Sequence, residues 1–461
     1  MRYITSVLLL LFLTTTLFAQ HQFWVGEEPV FASSEDSIAF EYVNLKIRET
    51  VNTSGPRSNL DSLFQVAATL RTNVIGTVRT FKATVSFVSS EKIPYMTAEE
   101  KAAVRHVAIV GKQVRQFPKE VLACKNLEAL ELANTRIKRL PRQLKNMQRL
   151  QSVYILNNTP RGPMHLAKSK TIRTLGIRSN DPSTLPRTYK AMPTLEKLDL
   201  AANQLKQFPK RTHQLKYLKE LLLSNNQLTL QNDRIKTHPR LEKMELTRNQ
   251  IQHVPASIAR FPALKRLTLN YNQISSVDDA IAQLTLLEQL SFYRNVLPAI
   301  PSGVYQLTSL KEVDLYYNQI ESIDDRLANW KNLEVLYLSN NKLLRVPEAI
   351  GQLTNLMGLY LHNNRLSTLP ASIGQLTRLK ELRVNNNFLL EVPASLLQIQ
   401  TLENLDLSGN QITRVPPQLF DYPSLKLLVL VENPWDHETR TTLPQLAEKL
   451  RARDAVVHVG L

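Results

Sequence analysis

The chain has 461 residues, 43% of them hydrophobic and 7% aromatic, with 24 prolines, 12 glycines and a single cysteine. That apolar content excludes an intrinsically disordered chain, and the lone Cys124 excludes both a disulfide framework and a paired-cysteine metal site. The formal net charge of +17 speaks to partners, not to fold, and points towards acidic ones.

Residues 1–19 read as a secretory signal peptide: Arg2 gives a positive start, Val7 to Leu13 an apolar stretch, and Phe18-Ala19 a small-residue exit before Gln20. The competing reading is an uncleaved anchor, but the apolar run from Ile4 to Phe18 falls short of the roughly 20 residues of a spanning helix. The mature chain is therefore expected to lack a transmembrane segment and to be secreted, to a periplasm or a cell surface. Export without disulfides points to a bacterial source.

Residues 20–96 are expected to form a small α+β region or an N-terminal cap. "SIAFEYVNLKIRETV" and "TFKATVSFV" are strand-like, and "SNLDSLFQVAATLRT" places Leu60, Leu63, Phe64, Ala67 and Leu70 on one helical face. Thr97-x-x-Glu100 then has the pattern of a capping box opening a helix.

From residue 97 to 433 one pattern recurs. It is clearest as Leu356-x-x-Leu359-x-Leu361-x-x-Asn364-x-Leu366, followed by Leu369-Pro370. Steps of 23 residues lead upstream through Asn341, Asn318, Asn295, Asn272, Asn249 and Asn226 to Asn203, and downstream through Asn387 and Asn410 to Asn433. A further step of 23 reaches Asn180, one of 22 reaches Asn158, and Thr135 and Lys112 hold the same place in degenerate units. Alternating apolar positions give a short strand with one buried face, and an amide side chain can satisfy a turning backbone inside a stack. One such turn cannot bury its leucines alone, so its neighbours must.

The chain resembles the leucine-rich repeat proteins of the 23-residue class, whose units carry "LP" after the asparagine turn; Val254-Pro255, Ile300-Pro301, Val346-Pro347, Val392-Pro393 and Val415-Pro416 repeat that dipeptide. The resemblance implies an α/β solenoid, a right-handed curved horseshoe with a parallel sheet on its concave side. Between Phe208 and Pro347, proline units alternate with units lacking it, giving a 46-residue super-repeat. In the latter, Asp278, Asp279, Asp324 and Asp325 stand before apolar runs and read as helix N-caps rather than as paired catalytic or metal-binding carboxylates. Residues 434–461 read as a C-terminal cap, with Trp435, an amphipathic stretch carrying Leu443, Leu446 and Leu450, and a valine-rich strand.

Catalysis, cofactors and metals find no support. The nine histidines are scattered, and neither a His-Glu-x-x-His motif nor a Gly-rich phosphate loop occurs. Cys124 occupies the place of Leu215, Leu284, Leu307, Leu353 and Leu376 and is expected to be a buried small hydrophobe; His238 and Trp330 fall at the same apolar position. The chain reads as a non-enzymatic binding protein with no cofactor.

Two surfaces are candidates for binding. Strand residues beside the leucines face solvent on the concave side, and there the units from Asn272 to Asn364 place Tyr271, Tyr293, Tyr316, Tyr317, Tyr337, Tyr360 and His362. Arg294, Asp314 and Arg383 stand among them, with Arg248, Glu312 and Asp406 around. Tyrosine offers large area and a hydroxyl at little entropic cost, so this face is expected to take a protein or peptide; the alternative is a tyrosine ladder that only stabilises the sheet.

The other surface is electrostatic: residues 101–250 hold 30 Lys+Arg against 10 Asp+Glu, so the net charge resides in the first half of the array. Arg136, Lys138, Arg139, Arg142, Lys145 and Arg149 mark it as a place for an anionic glycan or lipid head groups, or merely as solubilising charge. Nucleic acid is not expected outside the cell.

Overall fold

The computed structural model describes residues 87–187, 189–231 and 235–460. The signal segment 1–19 and the expected elements of residues 20–86 lie outside the described residues. The chain divides into two compact units. In its described part the first comprises residues 87–111, 118–133 and 147–154, and the second comprises 112–117, 134–146 and everything from 155 onward.

In the first unit, strands Phe87–Ser89, His106–Val110 and Ala129–Ala133 pair in parallel. The short helix Ala98–Ala103 opens with the capping box read from the sequence: the Glu100 amide donates to Thr97 Oγ1 at 3.2 Å and the Thr97 amide to Glu100 Oε2 at 2.7 Å. Cys124 is fully buried, and burial raises its thiol above the usual range, as a packed hydrophobe requires.

The second unit is a ladder of repeats. Each contributes a strand of about three residues to the main sheet, and from Thr174–Arg178 to Leu427–Val429 each of these pairs in parallel with that of the next repeat, while His253–Val254 and Ser276–Val277 pair separately. The register stacks leucine on leucine: Leu336, Leu359, Leu382 and Leu405 are direct neighbours, none exposed to solvent. A slip of one residue would turn this row outward, so the buried row pins the register.

The motif asparagines hold the turns. Asn364 Nδ2 donates to Leu361 O of its own turn at 2.9 Å and to Leu338 O of the preceding repeat at 3.0 Å, and its Oδ1 accepts from the Leu343 amide at 3.0 Å. Asn318 makes the same three bonds at 3.0–3.1 Å, to Phe292 O, Leu315 O and the Leu297 amide. Both side chains are buried.

Behind the strands the connecting segments are 3-10 turns, not the α-helices that an α/β reading suggests. Ala371–Gln375 is typical, with Pro370 extended at its N-cap and bonds from Ile373 N to Pro370 O and from Leu376 N to Ile373 O, both 3.1 Å. A 23-residue unit leaves too few residues behind the strand for a full α-helix, so the tighter turn closes the circuit. Neighbouring turns press together: a Cβ on Gly351 would lie 2.6 Å from Ser372 O. In the units without proline, Asp278 and Asp324 accept from the amides of Ala280 and Arg326 at 2.9 and 2.8 Å, so both are N-caps. His238 is packed, its ring stacked on Phe261, and burial pushes it down to about 4; Trp330 is fully buried and donates to Val304 O.

At the far end, helix His437–Arg451 is capped by Asp436, which accepts from the Thr439 amide at 2.8 Å, and buries Leu443, Ala447 and Leu450. Leu446 stays half-exposed because Ala447 lies on the buried stripe instead. Strand Val456–His458 pairs with Leu427–Val429 and ends the ladder. Among the described residues no helix is long and apolar enough to cross a membrane.

Removing one motif amide orphans two carbonyls and an amide inside the stack, each bond worth about 1 kcal/mol. Asn318→Ala is therefore expected to lower unfolding stability by roughly 3 kcal/mol or more, and Asn433→Ala, whose equivalent bonds are only partly buried, by clearly less. Urea titration of both variants checks the order.

Candidate functional site

The outward positions of the ladder fall into columns spaced by 23 residues. The last strand position carries Asp314, Tyr337, Tyr360 and Arg383. Two residues before the motif asparagine come Tyr293, Tyr316, Ser339 and His362. Immediately before it, the backbone is left-handed in repeat after repeat, at Asn225, Arg248, Tyr271, Arg294, Tyr317, Asn340, Asn363 and Asn386. Tyr271, Arg294 and Tyr317 thus lie at a corner past the strand end, not within the strands as their sequence spacing suggests.

The rings form two groups. In one, Tyr293 stacks on Tyr316 (centroids 5.4 Å, planes 15° apart) and meets Tyr271 edge-on at 5.1 Å, Tyr316 meets Tyr317 at 4.5 Å, and His362 closes the group at 5.6 Å from Tyr316. In the other, Tyr337 and Tyr360 stack at 4.6 Å. The expectation that all of these side chains project to solvent is corrected here: Tyr293 is 5% exposed, Tyr360 7% and Asp314 3%. Tyr360 is covered because its ring lies back over Gly358, where a Cβ would come within 3.1 Å of the ring, and its hydroxyl donates to Glu381 Oε2 at 2.9 Å. Tyr271, Tyr316, Tyr317, Tyr337, Arg294 and His362 are half-buried, and Arg383 is exposed.

Asp314 owes its burial to a polar chain. Ser291 Oγ lies 2.5 Å from Asn270 Oδ1 and 2.7 Å from Asp314 Oδ2; Asn270 Oδ1 also accepts from the Tyr293 amide, and Asp314 Oδ1 from the Tyr316 amide, both at 3.0 Å. The Tyr293 amide fixes the Asn270 oxygen as acceptor, so the single Ser291 proton goes there, and the short bond to Asp314 is complete when the carboxyl itself carries a proton. Burial agrees, pushing Asp314 up to about 7, with nearby Glu312 adding to the effect. His362, burial holding it down near 4, is a neutral ring that bonds Ser339 Oγ through Nδ1 at 2.8 Å.

The left-handed corner carries a cost. A bulky L-residue there loses about 1–2 kcal/mol, which glycine and asparagine largely avoid. Outside one stretch the corner is mostly asparagine or glycine, at Asn134, Asn157, Asn225, Asn340, Asn363, Asn386 and Gly409, with Ser179, Ala202 and Glu432 as exceptions, and the asparagines bond one another, as Asn386 Nδ2 does to Asn363 Oδ1 at 2.8 Å. Four consecutive repeats break that pattern with Arg248, Tyr271, Arg294 and Tyr317. Their guanidiniums lie over the rings: Arg248 4.8 Å from the Tyr271 centroid, Arg294 5.4 Å from Tyr271 and 4.9 Å from Tyr317. Three such contacts at about 0.5–1 kcal/mol each, together with the ring contacts of Tyr271 and Tyr317, are set against four left-handed penalties.

The basic residues are elsewhere. Arg136, Lys138, Arg139, Arg142 and Lys145 lie in the second unit, all exposed and with no carboxylate partner among the described residues; Arg149, in the first unit, is exposed too. Residues 132–180 contain no Asp or Glu. Lys138, His165 and Arg187 rim a cleft of about 370 Å³ whose floor includes Met164 and Leu166. No group of His, Cys, Asp and Glu able to hold a metal occurs among the described residues.

Sequence reasoning missed Asn270, Ser291, Ser339, Glu381 and Gly358 and placed Arg248 only at the margin. Gly358 left a usable signal, a glycine in a strand column otherwise filled by side chains.

The leucine rich repeat family model matches residues 239–297 and, in overlapping windows (308–366, 331–389 and 377–434), residues 308–434. No curated protein matches the chain in sequence. Among solved structures, a leucine-rich repeat protein of Leptospira interrogans is 24% identical with a TM-score of 0.60, covering 78% of this chain and 97% of that one. The Drosophila Toll protein in the Toll–Spatzle complex is 19% identical (TM-score 0.58; 73% of this chain, 52% of that one). The plant peptide hormone receptor RGFR1, solved with RGF2, is 17% identical (TM-score 0.53; 76% and 65%). The chain thus spans about half to two thirds of the two receptor chains.

Asp314 gives a test of the site's chemistry. The native carboxyl keeps a proton that the unfolded chain releases above about pH 4, so stability falls as pH rises from about 4 to about 7 and then levels off. Asp314→Asn, whose amide can donate to Ser291 and accept from Tyr316, removes that slope. The variant should gain on wild type between pH 5 and pH 8 by about 2–3 kcal/mol, read by urea unfolding at the two pH values; parallel profiles would place a charged carboxylate there.

Proposed function

Because the chain is a leucine-rich repeat protein, we propose that it is a non-enzymatic binding scaffold that takes a protein or peptide on the tyrosine-rich face of its sheet. The observation that carries this is the corner row: four successive repeats keep Arg or Tyr where the backbone favours asparagine, so strain that asparagine would relieve is retained along one stretch of the face. Solved proteins of this fold include one held with a peptide hormone and one with a protein ligand, which supports the class of partner by analogy of fold. The segment 1–19 supports export, and the repeat class together with the absence of disulfides supports a bacterial envelope as the setting.

A second reading has its own observation. The acid-free stretch 132–180 and the cleft rimmed by Lys138, His165 and Arg187 suit an anionic glycan or lipid head group, with Arg136, Arg139, Arg142 and Lys145 extending the cationic surface. In that reading the basic half holds the protein to an anionic surface.

Capture from cell-envelope extract with the full chain separates the two. Since Tyr360 is buried, the variant of choice is Tyr316→Ala/Tyr337→Ala. A discrete protein retained at high salt and weakened at least tenfold in the variant is the expected result. Capture that vanishes with salt and ignores the tyrosines would transfer the function to the basic half.

A further inference from the structure

The sheet face treats its cations in two ways. Several Arg and Lys on it are matched: Arg178 with Asp199, Lys197 with Glu220 at 3.3 Å, Lys243 with Glu245 at 2.6 Å, and Arg383, which also lies 5.8 Å from the Tyr360 centroid, with Glu381 at 2.6 Å, while Arg266 bonds the neutral Gln289. Arg248 and Arg294 have no carboxylate partner among the described residues. Each guanidinium is instead held against tyrosine rings, and Arg294 also bonds Tyr317, so each keeps N–H groups with no acceptor of matching charge. Asp314, a carboxyl of the patch, is buried and already bonded to Ser291 and to the Tyr316 amide.

The two arginines lie two repeats apart, 46 residues in sequence. With neighbouring strands about 4.8 Å apart, their guanidiniums recur at about 10 Å. An extended or polyproline-like peptide advances about 3.1–3.3 Å per residue, so acidic side chains three residues apart come to the same spacing, and in the three-fold polyproline helix they also point the same way.

We propose that Arg248, Tyr271, Arg294 and Tyr317 form an acidic-peptide reader, in which the ring-stacked guanidiniums each take a carboxylate of an extended segment carrying Asp or Glu at every third position. This rests on the sheet-face reading of function and names its partner's chemistry. It also accounts for the alternation of Arg and Tyr along the corner. The rings alone would grip any apolar segment; the arginines between them select charge, and bidentate bonding selects a carboxylate.

The test uses the full chain and two fluorescein-labelled peptides of about a dozen residues, one with Glu at every third position among Pro and Ala, the other with Gln in place of each Glu. Anisotropy titration at moderate salt should show the Glu peptide binding at least tenfold more tightly, and Arg248→Gln/Arg294→Gln should abolish that preference while the thermal melt stays near wild type. Should the Gln variant melt early, Arg248→Lys/Arg294→Lys keeps the charge without the planar fork and is expected to lose at least threefold of the preference. Equal binding of both peptides by the wild type, or an undiminished preference in the variants, overturns the proposal. Capture of the envelope partner that is lost in Tyr316→Ala/Tyr337→Ala but kept in Arg248→Gln/Arg294→Gln would sink the reader alone; capture kept in both would sink the sheet-face function as well.

Discussion

The structure of the second unit depends on one hydrogen-bonding pattern, the buried asparagine that ties its own turn to the repeat before it. A leucine row can be buried by any stack of strands, but only a side chain with two donors and an acceptor can close a turning backbone on the inside, where water does not reach. Each amide bonds across the repeat boundary, as Asn341 does to Leu315 O and Asn387 to Leu361 O. No repeat is therefore complete without its predecessor, and stability is a property of neighbours.

That dependence fixes the outward face as well. Once the amide sets the turn, the residue before it is driven left-handed and the residues two, four and six positions upstream face outward. The outward face becomes a grid whose rows are repeats and whose columns are structurally equivalent sites. On such a grid a departure from the cheapest residue is visible as a departure, which is how Arg248, Tyr271, Arg294 and Tyr317 stand out against the asparagines on both sides.

The grid was legible in the sequence; what its occupants do was legible only in part. The asparagine spacing, the leucine register, the capping box at Thr97 and the N-caps at Asp278 and Asp324 all depend on residues close in sequence or in strict period, and such patterns survive in one dimension. The 3-10 turns required counting what remained of 23 residues after the strand. The burial of Tyr360 turned on which way a ring leans, and that is decided by the missing side chain of Gly358. Asp314 is buried by partners one and two repeats away, Ser291 and Asn270, whose polar character alone says nothing of who bonds whom. Charge was legible as a sum over residues 101–250, yet pairing was not, and pairing decides which cations are available.

Pairing and protonation together shape the tyrosine patch. A carboxylate amid stacked rings would attract Arg294 and the guanidinium would leave its ring, since a charge in low dielectric takes the nearest counter-charge. The Asn270–Ser291–Asp314 chain opposes this, since burial pushes Asp314 up to about 7 and below that pH the acid holds its proton. Glu381 is already taken by Tyr360 and Arg383. Arg248 and Arg294 thus remain on aromatic faces with their charge uncompensated. A charge ordered by stacking before its partner arrives is in the condition that makes a later ion pair favourable: the ordering entropy is spent in folding, Arg294 is already half-buried, and the remaining dehydration of guanidinium and carboxylate is left to offset.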